Sequence, residues 1–113
     1  MDYTKDQVVA IVAEAKQAAR EAAEKFFQER LGGQDQFACG FAWVEIFGVK
    51  GNTKLGKTLK AAGLEQNYNK AFSIWNPSDL HCQNIDTKEE GARAAAKVFE
   101  KYGFRAYAGS RLD

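Results

Sequence analysis

Gly51-Asn52-Thr53-Lys54-Leu55-Gly56-Lys57-Thr58 has the form G-x-x-x-x-G-K-[ST]. In that pattern backbone N–H groups cradle phosphates, the lysine reaches the terminal phosphate and the hydroxyl holds magnesium. Average residue usage produces it by accident in roughly a few of every thousand chains this long. Residues 46–64 contain Lys50, Lys54, Lys57 and Lys60 and no acidic residue, with Asn52 and Thr53 as further donors. Three readings stand: a hydrolase loop, a loop that holds phosphate without hydrolysis, and a solvated turn whose Gly51 and Gly56 serve backbone geometry. Hydrolysis ranks last. The helix expected after the motif, residues 58–62, is barely a turn and a half, and no apolar strand ends in an aspartate on the metal side. Glu45 in mid-strand also fits a half-exposed strand better than a doubly buried one.

A second chemistry comes from rings. Phe41, Trp43, Trp75 and Tyr107, with Arg105 and Arg111 nearby, are residue types that stack on bases and hold phosphates. The same aromatic, charge-poor set would make the centre of a protein interface, so homodimerisation through it is an equal reading. A dimer enclosing ligand pockets at its edge would satisfy both, with Lys57 and Arg105 or Arg111 on the phosphate. His81 is the single histidine, and adjacent Cys82 points elsewhere in any regular backbone, so a Cys–His dyad lacks support. Asn76, Gln83 and Asn84 suit either a base edge or, more commonly, turn backbone groups. No carboxylate pair, metal cluster or cofactor is expected.

The elements that must position these groups follow from periodicity. Thr4 and Gln7 have capping-box form, and Val8, Ile11, Val12, Ala15, Ala18, Ala19, Ala22 and Phe26 recur at helical spacing until Gly32-Gly33. That stripe is mostly alanine, which favours close approach to a sheet or another helix. Residues 37–49 alternate with period two and predict the first strand. A short helix is expected over 58–62, a polar connection over 65–70 and a second strand over 71–75, stopped by Asn76-Pro77. Thr87 with Glu90 suggests a second capping box, and Ala92, Ala95, Val98, Phe99 and Tyr102 the inward stripe of a helix closed by Gly103. A third strand over 104–108 ends the order.

The fold class is therefore α+β: a three-stranded mixed sheet with two main helices on one face, in the order α-β-(short α)-β-α-β. The last three elements form a β-α-β unit that would pair strands two and three in parallel. If both helices cover Ala42, Val44, Ile46, Phe72, Ile74, Phe104 and Ala106, then Phe41, Trp43, Phe47, Ser73, Trp75, Arg105 and Tyr107 form an aromatic second face. Too few elements remain to cover it.

At 113 residues the chain is a single domain, 1–113, able to bury a core without disulfides. Sixteen basic against fifteen acidic residues exclude the overall basic field of a DNA-coating protein, so any anion site is local. Cys39 and Cys82 are expected as reduced thiols. No apolar signal core or membrane span is visible, so a soluble cytoplasmic protein with no membrane partner is expected.

Gly40-Phe41-Ala42-Trp43-Val44, Lys50-Gly51-Asn52-Thr53-Lys54-Leu55-Gly56-Lys57, Trp75-Asn76-Pro77-Ser78, Gln83-Asn84-Ile85-Asp86 and Ser110-Arg111-Leu112-Asp113 together resemble a set of uncharacterised small proteins encoded by phages and prophages. The resemblance spans most of the chain. It implies a phage-type accessory protein inside a bacterial host cell and carries over no catalytic residue. By analogy, small phage proteins of other folds counter host defence by sequestering nucleotide signals or blocking a host protein. The expected function is non-enzymatic binding of a phosphate-bearing ligand: a nucleotide, a nucleotide-like signal or a short single strand. Lys50, Asn52, Thr53, Lys54, Lys57, Arg105 and Arg111 are the polar candidates, and Trp43, Trp75 and Tyr107 the stacking ones. The alternatives are an interaction module that inhibits a host protein through the aromatic face, a nucleic-acid-binding protein and, last, the hydrolase.

Overall fold

The computed structural model describes residues 2–113. Helix α1 (Lys5–Leu31) starts at the Thr4–Gln7 capping box, both reciprocal bonds present, and stops at Gly32, whose φ of 62° lets the chain turn out of the helix. Its buried stripe includes Val8, Ile11, Val12, Ala15, Ala19 and Ala23. The alanines serve close approach to α3 (Ile85–Lys101): a Cβ on Gly91 of α3 would stand 3.2 Å from the Ala19 carbonyl oxygen. Small residues on both sides let the two backbones nearly touch.

Strand β1 (Gly40–Phe47) alternates strictly between buried and half-buried residues. Helix α2 (Lys54–Ala61), the two-residue strand β2 (Glu65–Gln66) and strand β3 (Phe72–Trp75) follow, and β4 (Arg105–Leu112) comes after α3. The sheet order is β2-β3-β1-β4, and every pairing is antiparallel. The α+β class and the helices on one face stand as expected, but the sheet has four strands rather than three and is not mixed. β3 and β4 do run in the same direction, yet β1 lies between them, so the β-α-β crossover is a split one. β1 takes the centre because helices cover one of its faces while aromatic side chains half-bury the other. The return segment reinforces this, with Asn76 N–H donating to Ala42 O and Gly40 N–H donating to Gln83 O.

Three local expectations are corrected. The polar 65–70 connection is a hairpin, because Asn67 Oδ1 accepts from the Asn69 and Ala71 amides and closes a turn that sets β2 against β3. The second capping position is Asn84 rather than Thr87. Its Oδ1 accepts from Thr87 N at 2.8 Å and Thr87 Oγ1 at 2.9 Å, so Thr87 lies inside the first turn. α2 begins at Lys54 instead of residue 58, capped by Thr53. The core beneath the sheet joins Val44, Ile46, Leu59, Phe72, Phe99, Phe104 and Ala106 to the α1 stripe.

Candidate functional site

The register settles which side chains share the open face. Trp43 stands opposite Trp75 on one side and Gly109 on the other; Phe41 faces Arg111, Glu45 faces Tyr107, and Phe47 faces Arg105. The Trp43 and Trp75 rings lie 4.9 Å apart, tilted by 37°, and Phe41 meets Trp75 edge-on at 6.2 Å. The Arg111 guanidinium sits 5.4 Å from the Phe41 ring centre and 5.9 Å from that of Trp75. Arg111 thus joins the tryptophans in one corner of the sheet, while Arg105 lies at the opposite end, beside Phe47 and Gly48.

The two indoles are held differently. Trp43 Nε1 donates to Glu45 Oε1, whose other oxygen accepts from Asn67 Nδ2 at 3.1 Å. Its ring lies across Gly109, where a Cβ would come within 2.4 Å of Nε1. Trp75 has no such tether and is 51% exposed. A second cation, Lys88 of α3, is 8% exposed; its Nζ donates to Gly40 O at 2.8 Å and stands 5.3 Å from the Phe41 ring centre. Phe41 is therefore a half-buried ring with two cations near it, which attract its π face.

Sequence reasoning missed Gly109 and Lys88. The strand was expected to end at residue 108, so a glycine inside it, a sign of close approach, went unread. Lys88 sits four residues before Ala92 and seven before Ala95, on the inward stripe of α3, and a lysine there marks a buried cation. A cleft of about 510 Å³ lies beyond Trp75, lined by Lys16, Gln17, Arg20, Ile74 and Asn76 among others. The cations of α1 were not expected beside this aromatic corner.

The motif segment is built otherwise. Gly56 N–H donates to Thr53 Oγ1, Lys57 N–H to Thr53 O, and Thr58 Oγ1 to Lys54 O. These are helix-capping and helix bonds, and they occupy donors that a phosphate loop would turn toward its ligand. Gly56 has a packing reason, since a Cβ there would meet the Lys50 carbonyl oxygen at 2.1 Å. Lys54 and Lys57 are exposed on α2, and neither lines a cleft beside the aromatic corner. Instead a cleft of about 640 Å³ gathers Lys50, Gly51 and Asn52 with Lys60, Gln66 and Lys70. It opens at the Gly48 end of β1, about 17 Å along the strand from Trp43 at the usual rise per residue. The expected union of Lys57 with the stacking rings is not formed within one chain.

Other candidates fall into place as scaffolding. His81 is exposed while Cys82 is buried, and burial together with the Asp35 charge pushes the Cys82 thiol up, away from a reactive thiolate. Asn84 is fully buried with its side chain spent on the cap and on Gln36 O, and Asn76 shapes its own turn by donating to Leu80 O. Among the described residues no three His, Cys, Asp or Glu side chains converge as a metal ion requires. Nor is any helix among them long and apolar enough to cross a membrane. Comparison of the chain with protein-family models, curated proteins and solved structures gives no match, so the geometry of this corner and of the lysine cleft is what bears on function.

Proposed function

We propose that this chain is a non-enzymatic binding protein for a base-containing, phosphate-bearing ligand held on the open sheet face, with a short single strand as the best fit. The observation that carries the reading is the half-exposed Trp75 ring, set against Trp43 and beside the Arg111 guanidinium. A flat indole stacks on any base, contributing roughly 1–3 kcal/mol, and a guanidinium forks onto a phosphate. The face is open rather than enclosed, which suits an extended ligand. Lys16, across Trp75, gives such a strand a second cationic stop, whereas Arg20 is already held by Glu24 and the Asp79 carbonyl. A phage accessory role would use the same chemistry to sequester a nucleotide signal or a short strand.

A second reading has its own observation. Tyr107, 55% exposed, packs against Phe47 at 5.7 Å and extends the aromatic face away from Arg111. That favours a protein-interaction module contacting a host protein through the face. Salt separates the two readings. Titration of tryptophan fluorescence with a ten-nucleotide single strand and with mono- and cyclic nucleotides, at two salt concentrations, should show saturable quenching that weakens as salt rises. Arg111→Ala should weaken it further, with Lys57→Ala unchanged. Absence of any response across the panel would overturn ligand binding and leave the protein interface.

A further inference from the structure

The free edge of β4 supports an inference independent of the ligand reading. β4 is an outermost strand eight residues long, and among the described residues nothing pairs with its outer side. The opposite edge is blunted, because β2 has only two residues. Asp113 N–H donates to Cys39 O at 3.1 Å, continuing the β1–β4 register by one residue pair. Odd-numbered residues of β4 therefore exchange bonds with β1, and the N–H and C=O groups of Ala106, Ala108, Ser110 and Leu112 point to the free edge.

Antiparallel pairing sets outward-facing residues opposite one another, so a two-fold axis between two copies of β4 must pass through a residue. Two registers use the whole strand. With the axis at Ala108, Arg105 stands opposite Arg111 twice, a like-charge clash. With the axis at Gly109, Arg105 of each copy faces Asp113 of the other, Tyr107 faces Arg111, and Leu112, 68% exposed, faces Ala106. Gly109 presents no side chain at the axis and already lies beneath the Trp43 ring.

We propose that two copies of this chain join by antiparallel pairing of β4 about a two-fold axis at Gly109, extending the sheet to eight strands with one continuous aromatic face. Sedimentation across a concentration series tests it on the full chain. The unmodified protein should sediment at twice the chain mass. Arg105→Asp and Asp113→Arg should each weaken association at least tenfold by setting like charges opposite, and the double reversal should restore it. Ala108→Pro removes an outward N–H without touching the β1 ladder and should give a monomer with unchanged far-ultraviolet dichroism. If that proline unfolds the chain, the two exposed charge reversals decide. A monomer at every concentration, a dimer indifferent to the single reversals, or a double reversal that fails to reassociate would each overturn the pairing.

Discussion

The two ends of β1 gather cationic side chains in opposite ways. At the Phe41 end one guanidinium rests on aromatic rings, Trp43 is tied down through Glu45 and Asn67, and only Trp75 stands open. At the Gly48 end three lysines surround a cleft, and no ring or acidic residue lines it. Lysines are strongly hydrated point charges on flexible stems, so gathering them on an ion costs entropy; a guanidinium already laid on rings has lost less. Base recognition needs a π surface and a placed cation together. The motif-bearing end therefore has more charge and less preorganisation.

Loss of the open indole should cost the most. Trp75→Ala should weaken a labelled single strand by about 10-fold or more, the range of one lost stack, as read by anisotropy. Replacing Lys50, Lys60 and Lys70 together by Ala should change the same affinity by far less; a larger loss would move the site to the lysine cleft. Two closely packed glycines, one at each end, come next. Gly109→Ala drives a Cβ into the Trp43 ring, and Gly56→Ala drives one into the Lys50 carbonyl. Each should lower stability by about 1–3 kcal/mol in urea unfolding, but only Gly109→Ala should shift tryptophan emission. Gly56→Ala should destabilise even though alanine is the better helix former.

Arg111→Ala should reduce the salt slope of single-strand binding by about one phosphate contact's worth, roughly 0.7 in log–log form. Thr53→Ala removes the α2 cap and should cost about 1 kcal/mol of stability, with single-strand affinity unchanged. The smallest effect lies behind the sheet, where Lys101 and Tyr102 of the α3 end both donate to Glu14 of α1. The hydrogen bond from Lys101, then that from Tyr102, holds the Glu14 carboxyl below its usual range, whereas the bond to Glu14 raises both Lys101 and Tyr102. A depressed carboxyl contributes stability above its unfolded value and loses it as pH falls through the folded one; the raised groups lose theirs as pH rises through their own folded values. Thermal unfolding of Glu14→Gln should therefore lack a small stability loss at each end of the pH range, with binding untouched.

Much of the helical layer was legible because its signals are local. Thr4 with Gln7 and Gly32 bound α1, and the alanine stripe anticipated its close partner. The alternation of Phe41, Trp43, Glu45 and Phe47 sorted the two faces of β1. Strand 104–108 was read too short because Gly109 and Ser110 look like turn residues, and only pairing with Ala42 and Trp43 makes them strand. Within the motif, Gly56 carried two meanings that spacing does not separate. Whether it faces a ligand or the Lys50 carbonyl depends on how residues 48–53 fold back.

Period, caps and side-chain alternation are properties of neighbouring residues, and they specify the α+β class, the two long helices and which β1 residues share the aromatic face. Tertiary structure alone decided that β1 lies between β3 and β4, which brings Arg111 rather than Lys57 to the tryptophans and leaves β4 at an edge. Strand order and register are set by long-range hydrogen bonding and by burial of whole faces, and no window along the chain contains them.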